Sequence, residues 1–397
     1  MWIGKTPTGP TGGILSILAA WMVLLSGAGC ALQGRVVEVG GGAPPDAAGR
    51  EAGSPETGHA SALSGVRVSK QTLNPARGET MEVGYRLGFP ADVTLNVYDP
   101  DWHRVRTMTR PGQQPGPGSF SWDGKDDAGR ILPDEAYFFT LLARGRDGET
   151  AVYDPTSFSG GNERDITSAT VDSVKRTISY RLPFPARVLI RLGLEGGPLL
   201  RTLVDWQPRP AGMVTEYWDG KDEDGLISLW DEKKFKMIIT CYQLPENSVI
   251  LYGNKNMGYV EYVRMAGDLP KKPDRGSLEE VSPHYRMSRI TDRSPRVKLS
   301  FSPMEGRVDD GAIVLRDRTI VNVDLDEESR KLFRDQQFEI VFFLDGRFYA
   351  EDEVGYTPFN WVWDLYDVPE GEHVLTVNLS SFSDQIGVKS HRIVVRK

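Results

Sequence analysis

The stretch Trp122-Asp123-Gly124-Lys125-Asp126-Asp127-Ala128-Gly129 returns as Trp218-Asp219-Gly220-Lys221-Asp222-Glu223-Asp224-Gly225, 96 residues later. A repeat of this kind constrains the fold more than any other feature, because one structural unit must occur twice. Upstream, Tyr85 to Val93 reads Tyr-Arg-Leu-Gly-Phe-Pro-Ala-Asp-Val, and Tyr180 to Val188 reads Tyr-Arg-Leu-Pro-Phe-Pro-Ala-Arg-Val, 95 residues on. Between these blocks, Val105-Arg106-Thr107-Met108 is echoed by Leu200-Arg201-Thr202-Leu203 at the same spacing. The chain therefore holds a duplicated module of about 90 residues, an ordinary domain size.

Both copies alternate as strands with one buried face do. In the first, Met81–Leu87 and Val93–Tyr98 alternate, and the aromatic run Tyr137–Ala143 follows the Asp/Gly turn. In the second, Thr177–Leu182, Val188–Leu192 and Phe235–Tyr242 take the same places. Short strands separated by turn signals at regular intervals indicate β-sandwiches. The expected fold class is all-β, with three tandem immunoglobulin-like or fibronectin-like sandwiches after a signal peptide and a flexible tether. The first sandwich is placed at 65–153, the second at 165–252 and the third at 296–397, with an extended connector at 253–295.

The repeated motif has a structural reading. Trp122 and Trp218 end strands and bury large rings in their cores. Asp123 and Asp219 accept from backbone N–H groups two residues on, while Gly124, Gly129, Gly220 and Gly225 supply positive φ. Asp123, Asp126, Asp127, Asp219, Asp222 and Asp224 also raise calcium as an alternative, since their carboxylates are close in sequence. The EF-hand spacing is incomplete, with no acidic residue at its last place. Drift between the copies also favours the turn reading: Asp224 stands where the first copy has Ala128, and Trp230 is added after the second turn.

At the N-terminus, one charge at Lys5 precedes the apolar run Ile14–Leu25 and the small residues Ser26-Gly27-Ala28-Gly29-Cys30. Charged, apolar and small parts in that order read as an export signal at 1–29. The pattern resembles a bacterial lipoprotein signal, which implies that Cys30 is lipidated and becomes the first mature residue; Ala31 resembles outer-membrane sorting. Ordinary secretion, and an uncleaved anchor spanning 12–31, are the alternatives. Residues 30–64 include Gly40-Gly41-Gly42 and Pro44-Pro45 and lack the apolar content needed to offset ordering entropy, so they read as a disordered tether.

A net charge of -8 argues against non-specific nucleic-acid binding, which needs a basic surface. With Cys30 lipidated, Cys241 has no disulfide partner in the chain and reads as a small buried hydrophobe. The five histidines, His59, His103, His284, His373 and His391, are scattered, and no nucleophile elbow, zincin helix, phosphate loop or haem motif occurs. Neither catalysis nor a cofactor is expected.

The two modules resemble the immunoglobulin-like domain of the bacterial flagellar hook-capping protein family. The resemblance rests on Tyr-Arg-Leu-x-Phe-Pro-Ala, the Arg-Thr strand, Trp-Asp-Gly-Lys-Asp and the aromatic strand that follows. It implies a spacer, assembly surface or sorting appendage in a secreted protein; lipidation and the N-terminal region depart from the hook-cap pattern. In the connector, Met257, Tyr259, Tyr262 and Met265 are candidate anchors onto a neighbouring surface. The third module, with Leu344-Asp345-Gly346, Trp363-Asp364 and Gly371-Glu372-His373, resembles a different bacterial immunoglobulin-like domain; 325–333 reads as one short helix. The expected role is a non-catalytic, lipid-anchored structural or accessory subunit, held in the membrane through Cys30 and bound to other envelope proteins. The alternatives are a surface adhesion or glycan-binding module, signalled by a concave patch with Trp230, Trp361 or Trp363, and a non-catalytic part of an extracellular enzyme system.

Overall fold

The computed structural model describes residues 62–397, apart from 275, 283, 284, 286, 287, 309 and 310. The expected signal peptide, Cys30, the alternative membrane anchor, nearly all of the tether, His59 and His284 lie outside the described residues. The architecture is predominantly β-strand and forms several immunoglobulin/fibronectin-like sandwiches around three large hydrophobic cores.

The first module contains β1 (Leu63–Val68), β2 (Thr72–Leu73), β3 (Met81–Leu87), β4 (Ala91–Tyr98), β5 (Arg104–Gln113), β6 (Gly116–Trp122), β7 (Ala136–Arg144) and β8 (Thr150–Tyr153). One sheet has the order β1-β3-β6, and the facing sheet carries β7-β4-β5 with β8 also on β7. Alternation decides which side chains enter the core: Met81, Val83, Tyr85 and Leu87 of β3 are buried, whereas Glu82 and Arg86 are exposed.

The second module repeats the plan with β9 (Glu163–Asp165), β10 (Ala169–Asp172), β11 (Thr177–Leu182), β12 (Ala186–Leu194), β13 (Leu199–Arg209), β14 (Gly212–Tyr217) and β15 (Phe235–Gln243). Its sheets run β10-β11-β14 and β13-β12-β15-β9. Ile178, Tyr180 and Leu182 occupy the places of Val83, Tyr85 and Leu87. Cys241 is a free, buried thiol in this core.

Residues 249–251 depart from the expected division of the chain. Placed in the second module by sequence, they form β16 (Val249–Leu251), which pairs antiparallel with β7 and parallel with β2 in the first module's sheet. The reason is that Val249, Ile250 and Leu251 are a continuous apolar triplet, all buried. After a turn in which Ser248 N–H donates to the Pro245 carbonyl, the triplet is buried between β2 and β7, with Ile250 packed on Ala136 and Leu244. The connector is also less extended than expected, because Tyr259–Ala266 folds as α1. Tyr262 joins the first core, with Met257 packed beside it; Tyr259 is buried too, but Met265 is exposed.

The third module comprises β17 (Val297–Ser302), β18 (Gly306–Arg307), β19 (Ile313–Arg316), β20 (Arg318–Leu325), α2 (Glu327–Leu332), β21 (Phe338–Leu344), β22 (Arg347–Gly355), β23 (Phe359–Asp364), β24 (Gly371–Ser381) and β25 (Ile386–Arg396). A small sheet β17-β20-β23 faces a larger one, β18-β19-β25-β24-β21-β22. The short helix forms as expected, its N-terminus capped by Asp326, whose Oδ1 accepts from Ser329 N–H at 2.7 Å. The strand β22 is not legible beforehand, since Glu351-Asp352-Glu353 interrupts the apolar alternation.

Candidate functional site

The two Trp-Asp-Gly turns superpose in their bonding. Trp122 Nε1 donates to the Lys125 carbonyl and Trp218 Nε1 to the Lys221 carbonyl, each at 3.0 Å. Asp123 Oδ1 accepts from Lys125 N–H and Asp219 Oδ1 from Lys221 N–H, each at 3.2 Å. Gly124, Gly129, Gly220 and Gly225 all have positive φ, between 71° and 81°. Gly124 is also crowded: a Cβ there would meet Pro75 Cγ at 2.5 Å, whereas at Gly129 it would meet open space. Gly124→Ala is accordingly expected to cost about 2 kcal/mol or more, and Gly129→Ala about 1 kcal/mol from backbone strain alone. Urea unfolding of the two variants checks this, and equal losses would show that the Pro75 contact does not matter.

The structure does not bring the six candidate carboxylates together around a common point. Asp126 accepts from Arg130 N–H at 2.8 Å, Arg130 Nε at 2.7 Å and the Tyr262 hydroxyl at 3.1 Å. Asp127 Oδ1 accepts from Thr107 N–H at 3.0 Å. Asp222 Oδ1 accepts from Leu226 and Ile227 N–H groups; burial nevertheless raises its carboxyl above the usual range. Asp219 is held below that range: desolvation opposes ionisation but is outweighed by Lys221 N–H and the Arg201 guanidinium. Asp224 faces Lys389 Nζ and accepts from Ser390 N–H at 2.6 Å. Among the described residues, no group of three or more His, Cys, Asp or Glu side chains could hold a metal ion.

Each turn instead seats another part of the chain. At the first, Asp126 binds Tyr262 of α1 and the Arg130 guanidinium lies 5.5 Å from the centre of the Tyr262 ring. At the second, Asp224 binds β25 of the third module. Beside it, Asn378 makes a reciprocal buried pair with Leu199, its Oδ1 accepting from the Leu199 N–H and its Nδ2 donating to the Leu199 carbonyl, both at 2.8 Å. Asp224→Ala removes two charge-assisted bonds, expected to weaken this docking by about 2 kcal/mol. Faster amide exchange in β25 is the readout, and an unchanged rate at Ser390 would sink the assignment.

A second cluster lies between the first two modules. Glu135, 1% exposed, receives Arg187 of β12 at 2.6 Å and Arg289 of the connector at 3.0 Å, and Arg187 is itself fully buried. Arg187 stands where the first module has the exposed Asp92, so the repeat has diverged at the contact. Earlier in the connector, Glu279 accepts from Asn96 Nδ2 at 3.0 Å, from the Tyr98 hydroxyl at 3.4 Å and from Thr140 Oγ1. Lys272 is buried, bonded to Asp154, to Thr156 Oγ1 at 3.3 Å and to the Glu280 carbonyl at 2.6 Å. Its ammonium lies 5.2 Å from the Trp102 ring centre. This covering explains why β7 is buried along nearly its whole length while the related β15 is largely half-exposed.

The three tryptophans expected to signal a concave aromatic patch are each packed against other rings. Trp363 is 1% exposed. Trp361 is half-buried, 4.2 Å from Phe342 and 5.0 Å from Trp363 between ring centres. Trp230 packs on Trp218 at 4.4 Å and donates its Nε1 to the Asp219 carbonyl at 3.2 Å.

Against known families, the FlgD Ig-like domain matches residues 70–147. A FlgD-like immunoglobulin domain occupies this part of the chain. The Basal-body rod modification proteins FlgD of Salmonella typhimurium and Salmonella typhi are each 30% identical to the chain over 134 residues, covering 29% of this chain and 57% of theirs. The chain thus spans somewhat over half the length of these relatives. Among solved structures, FlgD from P. aeruginosa is 30% identical, over 22% of this chain and 67% of that one, with a TM-score of 0.19.

Proposed function

We propose that this protein is a non-catalytic accessory subunit of an envelope or cell-surface complex, anchored by lipid on Cys30. The FlgD-like domain at residues 70–147 carries the reading, since its relatives are named for modifying a basal-body rod and not for chemistry on a small substrate. Two features of the fold support it. The repeated carboxylates are engaged in turn and docking bonds, and buried charges tie the modules to one another and to the connector. A braced array of sandwiches suits presentation of surfaces at a set distance from a membrane. Ala31 after Cys30, which resembles outer-membrane sorting, supports the outer membrane as that surface.

The test is gentle detergent extraction from native membranes, affinity capture through the C-terminus and mass spectrometry, beside a Cys30→Ser chain. Defined partners in fixed ratio, and loss of membrane retention in Cys30→Ser, are the expected results. Recovery of the lipid-bound protein alone would overturn the accessory role and direct the next assay to glycan or cell-surface binding. Membrane retention of Cys30→Ser would overturn the anchor.

A further inference from the structure

A strand that ends a sheet presents unpaired N–H and C=O groups, and natural proteins guard such edges with proline, charge or a cover. Three strands of nine residues or more end a sheet here: β5, β13 and β22. Pro111 lies in β5 and Pro208 in β13, each removing a donor. Strand β22 contains no proline and is guarded instead by its acidic run and by two register shifts against β21, beyond which it pairs with no strand among the described residues. Along and just after it, Phe348, Val354 and Tyr356 are 56%, 54% and 52% exposed. Tyr349 on its inner side meets Trp361 and Trp363 of β23, which ends the small sheet, so both sheets are open on this flank.

The charge on β22 selects what can add to it. Glu351 and Glu353 are exposed with Asp352 between them, and Glu339 on β21 is raised by burial and by those two carboxylates. Arg347 at the start of the strand is the one basic residue in it. A second copy pairing antiparallel about Asp352 would set Glu351 against Glu353 on both sides, and like charges directly opposite are destabilising. The acidic run therefore disfavours self-association and favours a cationic strand.

We propose that β22 is a docking edge that takes an extended segment of a partner protein, alternating apolar residues with Lys or Arg, by β-strand addition. Backbone bonds to the open edge supply affinity, and the Glu351 and Glu353 carboxylates select the partner's cations. The inference rests on the accessory-subunit reading only in naming a partner protein as the source of the segment.

The experiment uses the full-length protein in detergent and a short fluorescein-labelled peptide of alternating lysine and valine. Saturable binding is expected, weakening with salt and at least about tenfold weaker for the glutamate-for-lysine peptide. The variant Glu351→Lys/Glu353→Lys should lose binding by a similar factor. The remote pair Asp147→Lys/Glu149→Lys, which alters the net charge equally, should keep it. Amide exchange should slow in β22 when the peptide is bound. Absence of saturable binding, equal loss in both double variants, or unchanged exchange in β22 would each overturn the proposal. The native-membrane capture, repeated with Glu351→Lys/Glu353→Lys, separates the two claims. Unchanged partners would remove β22 as the docking edge and leave the accessory role standing; if the unaltered chain also captures nothing, that role falls and the peptide titration still decides the edge.

Discussion

Replacing Glu135 with alanine should destabilise the junction of the first two modules by about 3–5 kcal/mol. The carboxylate is buried and faces Arg187 at 2.6 Å and Arg289 at 3.0 Å. Taking it away leaves the Arg187 guanidinium enclosed without a counter-charge, and that desolvation sets the size of the loss. Arg187→Ala should cost less, because Glu135 keeps Arg289 at 3.0 Å as its counter-charge. The double change Glu135→Leu/Arg187→Met should recover part of the loss, since an apolar pair of similar volume avoids the desolvation of Glu135 and Arg187, while Arg289 still loses its carboxylate partner. Urea unfolding followed by tryptophan fluorescence is the measurement, with each transition fitted separately because a chain with several cores need not unfold in one step. If Glu135→Ala unfolds at the same urea concentration as the unaltered chain, the ion cluster does not brace the modules.

Trp122→Ala is the second large effect, again about 3–5 kcal/mol, from deletion of a buried ring and the cavity that remains. The ring sits in the first core and its Nε1 closes the turn onto the Lys125 carbonyl. Losing that closure loosens Asp126, which holds Tyr262 of α1. Amide protection of α1 should therefore fall in Trp122→Ala and stay unchanged in Trp218→Ala, although the two losses of stability are comparable. Equal protection of α1 in both variants would show that the first turn does not seat the helix.

The repeat made much of the fold legible because its signals are local. Alternation in β3 and β11, the strand-ending Trp122 and Trp218, and the Asp-Gly pairs at 123–124 and 219–220 each reflect chemistry within a few residues. The signal for the inter-module contacts was present in the same alignment, as divergence: Arg187 against Asp92, and Asp224 against Ala128. A duplicated unit keeps its turn and core residues, but it meets different neighbours, so the positions that change are candidates for contact. Lys272 and Glu279 had no such signal. A buried lysine or glutamate looks like a solvated one in sequence, and only the arrival of Asp154, Asn96 and Thr140 from distant strands distinguishes them.

By itself the sequence determined that the chain contains duplicated sandwiches, where their turns lie and which rings fill their cores, because period and turn chemistry act at short range. Tertiary structure alone decided that residues 249–251 complete the first module's sheet, that the connector covers β7 with buried charge, and that β22 is left as an open acidic edge. Those outcomes depend on pairings across many tens of residues, where the favourable partner for an apolar triplet or a charge is set by which surface the folded chain brings within reach.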